Sequence, residues 1–200
     1  MNSFQLKISL DYTTPPVWRR ILVNENTTMY ELHHIIQITM GWDNYHLWAF
    51  RKGREIHIGI PNDEFEEMET MWGSSPKTID AKTVKLCDFF TKEKETLKYE
   101  YDFGDSWYHT ITLEKIIAND TINLFPKCLA GKLNCPPEDC GSIPGYYNII
   151  ELMKQPKHKE YKEMVEWLGE PYDSEKFDIE FINENLIGIK EYIKNEESML

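Results

Sequence analysis

Residues 4–10 alternate Phe4, Leu6, Ile8 and Leu10 with Gln5, Lys7 and Ser9, the two-residue period of a strand with one buried and one wet face. Thr13-Thr14-Pro15-Pro16 ends the run, and Val17 to Val23 resumes as a second strand, since proline stands at a strand entry but not inside a ladder. Thr28 followed by Glu31 has capping-box spacing. Met29, Leu32, Ile35, Ile36 and Met40 then recur at helical intervals up to Gly41, which predicts an amphipathic helix over 29–40. HLWAF at 46–50 and REIHIGI at 54–60 read as short strands. Residues 61–80 hold Asp63, Glu64, Glu66, Glu67 and Glu69 without periodicity and read as a solvated loop. TVKLCDFFTK at 83–92 reads as a short helix that lowers Leu86, Phe89 and Phe90 onto the core.

In KYEYDFGDSWYHTITLE, residues 98–114, Tyr99, Tyr101 and Phe103 alternate on one strand and Trp107, His109, Ile111 and Leu113 on the next. Gly-Asp-Ser between them predicts a tight hairpin, with Gly104 taking positive φ and Asp105 and Ser106 capping nearby amides. Residues 115–144 are rich in proline and glycine and predict loop. Helical patterns follow at 146–153, 158–168 and 177–193. No internal repeat or low-complexity linker divides the chain, so a single domain over 1–200 is expected, with its helical part at about 145–195. The fold class is α+β: a mixed or antiparallel β-sheet with a ubiquitin-like ββαβ opening, a crossing helix, a central β-hairpin and C-terminal helices.

Composition narrows the function classes. A chain of 200 residues with 41% hydrophobic and 13% aromatic content buries a real core. No signal-like or membrane-length apolar run occurs, so a cytoplasmic protein without membrane contact is expected. The net charge of −12 disfavours non-specific DNA binding. Yet residues 1–60 hold six Lys/Arg against five Asp/Glu, and all four arginines, Arg19, Arg20, Arg51 and Arg54, lie there. A local anion-binding face is therefore compatible with an acidic chain, as is pairing of these arginines with the chain's own acids.

Two metal chemistries are open. Asp102, Asp105, His109, Glu138 and Asp139 offer hard oxygens and an imidazole, a mixture that holds Mn or Mg for phosphoester hydrolysis. The strand pleat argues against the full set, because Asp102 and His109 fall on opposite faces unless a twist or bulge near Gly104 reunites them. Cys135 and Cys140 enclose four residues with Cys128 nearby, a spacing at the permissive edge for zinc, although paired C-x-x-C knuckles are missing. The plainer readings are turn chemistry and buried thiols. A cysteine nucleophile is not expected, because Glu138 and Asp139 beside Cys140 raise a thiol's pKa. DFG lacks the glycine-rich and HRD partners of a kinase. His33 and His34 sit about 100° apart on the helix, which places one at the core border and the other in solvent.

The phrases PPVWRRILV, ELHHIIQITMGW, HLWAF, YEYDFGDSWYH, PPEDCG and GYYNIIELM, in this order from about residue 4 to 187, resemble the plasmid pRiA4b ORF-3-like family. The resemblance implies an α+β domain of plasmid and mobile-element surroundings, with no settled activity. Two departures from the family pattern are Trp48, where members often carry histidine, and Ser142 in place of a second glycine. The leading expectation is a non-enzymatic binding or adaptor module without cofactor. Its surface is built from Arg19, Arg20, His33, His34, Trp42, His46, Trp48 and Trp107, and it meets a protein or nucleic-acid partner. The alternative is a metal-dependent hydrolase built on the YDFGDSW and PPEDCG carboxylates.

Overall fold

The computed structural model describes residues 1–53, 56–61, 77–118 and 126–199. Arg54, Trp72 and the acidic block at 63–69 lie outside the described residues. Among those described, eight strands form one sheet. They are β1 (Ser3–Leu10), β2 (Trp18–Asn24), β3 (Trp48–Lys52), β4 (Ile56–Gly59), β5 (Thr78–Asp80), β6 (Thr96–Tyr101), β7 (Trp107–Ile117) and β8 (Lys127–Lys132). Their order is β5-β4-β3-β6-β7-β1-β2-β8, antiparallel throughout except for the parallel β4/β5 pair, so the sheet is mixed. The helices are α1 (Met29–Met40), α2 (Leu86–Phe89), α3 (Ser142–Met153), α4 (Tyr161–Leu168), α5 (Ile179–Ile187) and α6 (Ile189–Met199).

The alternation read in β1 is realised, with Phe4, Leu6, Ile8 and Leu10 at most 2% exposed. Their neighbours across the ladder, such as Ile21 opposite Leu6 and Ile111 opposite Ile8, share that face. α1 lays Leu32, Ile35 and Ile36 on it. Both ends of α1 form as the residue types demand. Thr28 and Glu31 make the reciprocal capping box, and Gly41 ends the helix in the left-handed conformation at φ 83°. The strand, strand, helix, strand opening is present. β3 does not return beside β1, however, because the β6/β7 hairpin is inserted between them.

Four expectations need correction. The hairpin bend leaves Gly104 outside the left-handed region; Asp102 (φ 56°) and Ser106 (φ 55°) turn the chain, and Phe103 belongs to the bend because the ladder closes at Tyr101 and Trp107. Residues 127–132, read as loop, form edge strand β8 on β2, and residues 78–80 form β5. The long helix expected over 177–193 breaks at Gly188, which lets Leu186 and Ile189 both reach the core. Finally, His33 and His34 are both buried. The side of α1 away from the sheet is covered by α5 and α6, with the Tyr192 ring 5.6 Å from that of His34.

Candidate metal centre

Three loops meet at the end of the sheet where β6 turns into β7. They are residues 41–47 after α1, the 102–106 bend, and Pro136–Gly141 before α3. Specific bonds tie them together. Trp42 Nε1 donates to the Pro136 carbonyl (2.9 Å), the Asp102 amide donates to the Leu47 carbonyl (2.8 Å), and the Asp43 amide donates to Glu138 Oε2 (2.9 Å). Tyr101 places its hydroxyl between two loops, donating to Glu138 Oε1 and accepting from the Tyr45 amide (3.1 Å). Burial, and next the Glu138 carboxylate, push the Tyr101 phenol far above its ordinary pKa, so it stays a donor. Asp105 reaches across to the Gly141 amide (3.1 Å) instead of capping its own turn; Asp102 does that, accepting from the Gly104 amide at 2.9 Å.

At the centre, His46 Nε2 lies 3.1 Å from Asp139 Oδ1 and 3.8 Å from Asp102 Oδ2. One donor atom from each of the three residues falls within 4.8 Å of the others. The side chains are 27%, 67% and 10% exposed for His46, Asp139 and Asp102, so the group has a buried wall and an open side. Although close to Asp139, Nε2 of His46 is shielded from solvent and makes no hydrogen bond of acceptable direction. An imidazole nitrogen and two carboxylate oxygens gathered this closely suit a divalent cation. Its remaining coordination positions would be open to water or substrate. Backbone strain collects here too. Of eight non-glycine residues at positive φ among those described, Asn44, Asp102, Ser106, Asp139 and Ser142 lie in or beside these loops, at about 1 kcal/mol or more each. The last of these follows Gly141, itself at φ 87°, so the Gly-Ser departure from the family pattern is a turn that tolerates a side chain.

The expected ligands are thus partly regrouped. Asp102 and Asp139 come together, but their imidazole is His46 and not His109. His109 pairs with Tyr99 on the core face, where Trp42 packs edge-on at 5.4 Å, and burial brings its pKa down to about 4. Glu138 and Asp105 are nearby but spend their oxygens on loop bonds. The zinc grouping of Cys128, Cys135 and Cys140 does not form among the described residues. Cys128 faces the core from β8, Cys135 lies 3.1 Å from both Arg19 Nη2 and Met40 Sδ, and Cys140 stands apart as a thiol driven up to about 12, by burial first and then by Asp105.

The expected aromatic and arginine surface is largely interior. Arg19 is buried, donating to the carbonyls of Thr39 (2.8 Å), Trp18 (2.9 Å) and Lys132 (3.2 Å). Trp42, Trp107, His33 and His34 are also buried, and Trp48 stacks on His33 at 3.9 Å. Arg20 alone of this group lies on the outer face of the sheet, paired with Glu114. A second set of residues was not visible in the sequence: Gln37 donates to the Tyr99 hydroxyl (3.0 Å), which bonds His33 Nδ1 (2.8 Å), while His33 Nε2 bonds Asn44 Oδ1 (2.6 Å). Because Asn44 Oδ1 only accepts, His33 carries its proton on Nε2 and takes the Tyr99 proton on Nδ1. Burial holds His33 neutral, which keeps this chain of bonds intact and fixes the loop that carries His46.

The family model for plasmid pRiA4b ORF-3-like protein matches residues 2–181. The chain is 38% identical over 173 residues to y4hQ, an uncharacterized protein of Sinorhizobium fredii, covering 85% of this chain and 83% of that one. The crystal structure of MM3350, a protein of unknown function from Methanosarcina mazei, superposes with a TM-score of 0.78 at 37% identity, over 90% of this chain and 96% of the other. Among the described residues no helix is long and apolar enough to cross a membrane.

Proposed function

We propose that this chain, which belongs to the plasmid pRiA4b ORF-3-like family, binds one divalent cation through His46, Asp102 and Asp139 and uses it to hydrolyse a phosphoester. The observation that carries the reading is the convergence of the three donor atoms within 4.8 Å from three separate loops. A cation held by these three residues would supply charge to stabilise phosphoryl oxygens and to lower the pKa of water. The chain supplies the frame. Asp102 is pinned by the Gly104 amide, His46 is held against the Tyr101 ring at 5.8 Å, and Asp139, 67% exposed, stands on the open side. Exposed Tyr45 and Leu47 flank His46 in sequence and offer an apolar rim to a substrate. The reading of a non-enzymatic module loses support because most of its contact residues are buried.

The test is titration calorimetry with Mn²⁺ and Zn²⁺, alongside cation-dependent turnover of bis(p-nitrophenyl) phosphate. Asp102→Asn is the informative variant, since asparagine tolerates the left-handed backbone and still accepts from Gly104 while losing its charge. Wild type binds one cation and turns over. Asp102→Asn and His46→Gln bind at least about tenfold more weakly. Equal affinity in wild type and variants overturns the site, and tight binding without turnover of any phosphoester overturns the hydrolase.

A further inference from the structure

The outer face of the sheet concentrates positive charge in a chain whose net charge is −12. Side chains directly opposite on neighbouring strands share a face, so the register identifies who stands there. Lys7 of β1 lies opposite Arg20 of β2, and Arg51 of β3 lies opposite Lys98 of β6. Lys132 and Lys127 of β8 stand opposite Trp18 and Leu22, and Lys115 of β7 stands opposite Gln5. Among the described residues, seven cations therefore share this face from β3 to β8. Its strand carboxylates are Glu100 and Glu114, joined by Asp11 from the turn after β1. The chain as a whole has 22 Lys+Arg against 34 Asp+Glu, so this face inverts the average.

Two of the cross-strand pairs, Lys7 with Arg20 and Arg51 with Lys98, set like charges opposite each other, an arrangement that destabilises a ladder. Glu114 faces both Arg20 and Lys7, and the partial compensation by Glu114, Glu100 and Asp11 leaves Lys115, Lys127 and Lys132 without a carboxylate of their own in this set, among the described residues. Arg51 and Lys98 side chains are 45% and 56% exposed. Between the cations run hydroxyls and an amide, Thr110, Thr112, Ser9 and Gln5, and a groove of about 600 Å³ opens between Arg20, Thr112 and Lys115. Tyr108 and Tyr12 stand beside this track, exposed and edge-to-face at 6.4 Å.

We infer that this face binds single-stranded nucleic acid, the phosphates running along the lysines and arginines and bases stacking on Tyr12 and Tyr108. The track crosses five interstrand steps of about 4.8 Å, roughly 24 Å, enough for several nucleotides. Hydroxyls and cations match phosphate oxygens, and exposed tyrosine rings match any base, so recognition is tolerant of sequence. The acidic remainder of the chain does not prevent it, since charges beyond about 8 Å are screened at physiological salt.

The experiment is fluorescence anisotropy of a labelled oligothymidine of about fifteen nucleotides, measured between about 50 and 200 mM salt. With about five phosphate contacts the expected slope of log K against log salt is about −3.5, a loss of about a hundredfold across that range. Lys7→Gln with Lys132→Gln removes two cations, flattens the slope by about 1.4 and weakens binding about tenfold or more at the lower salt. Lys154→Gln with Lys159→Gln makes the same charge change away from the sheet and leaves binding unchanged. Unbound oligonucleotide at about 50 mM salt, or equal loss in both double variants, overturns the inference. Polyglutamate competing as well as the oligonucleotide would assign the face to acidic peptides, and a duplex binding as tightly as the single strand would refute the stacking role; either result overturns it as stated.

Discussion

His109 sits with both ring nitrogens shielded from solvent and without a hydrogen bond of good geometry, between Tyr99 and Trp42. Its folded pKa falls to about 4, chiefly through burial, against the ordinary value near 6.5 in an unfolded chain. On acidification from pH 7 to about 5 the unfolded state takes up the proton and the folded state refuses it, so stability falls as pH falls. Integrating proton uptake between those limits gives about 2 kcal/mol lost through this one histidine. His33, held neutral by burial, adds a loss of the same sign. Replacing His109 by leucine, of similar volume, deletes its share. Urea unfolding followed by tryptophan fluorescence at both pH values measures the difference. Wild type is expected to lose about 2 kcal/mol more than His109→Leu on acidification. Equal losses in the two proteins would show that His109 is protonated in the folded state, and the assignment of a dry, neutral imidazole would fail.

Three further outcomes follow from local geometry. Arg19→Lys should destabilise the fold by about 2–3 kcal/mol in chemical denaturation, because an ammonium cannot reproduce the fork that reaches three separate carbonyls and stacks 4.8 Å over Phe177. Thr28→Ala removes the hydroxyl that accepts from the Glu31 amide at 3.1 Å, and should cost about 1 kcal/mol by the same measurement with no change in far-ultraviolet circular dichroism at 25 °C. Cys140, with its thiol pushed up to about 12, should alkylate with iodoacetamide at pH 8 at least about a hundredfold more slowly than glutathione, read by peptide mass spectrometry.

The candidate site illustrates which signals are local. Asp102 and Asp139 stand out in the sequence because their phrases are dense in ligand-type side chains, but the imidazole nearest in sequence, His109, is the wrong one. Strand pleating sends it to the core beside Tyr99, while Asp102 lies past the end of the ladder, in the bend. His46 is 56 residues from Asp102, and they meet because the loop after α1 is fastened to the hairpin by the Leu47 carbonyl and the Tyr101 hydroxyl. No spacing rule carries that information.

Period-two and period-3.6 patterning, the Thr28/Glu31 cap and the Gly41 stop specify β1, β2 and α1 locally, since the residues that define each element are neighbours and burial of one face suffices to select it. β8 is different: its Gly131 and Ala130 carry no strand preference of their own, and only the open edge of β2 makes residues 127–132 extended. The burial of His34 was likewise settled by helices arriving from the far end of the chain, whereas His33 is covered by Trp48 and Tyr99 of the sheet. Charge counts along the sequence hinted at an anion-binding surface, but the register of six strands chose its residues, leaving Arg19 inside and turning Lys7, Lys98 and Lys132 outward. Local sequence sets which faces exist; long-range pairing sets which side chains share them, because a strand's two faces acquire neighbours only when other strands and helices dock.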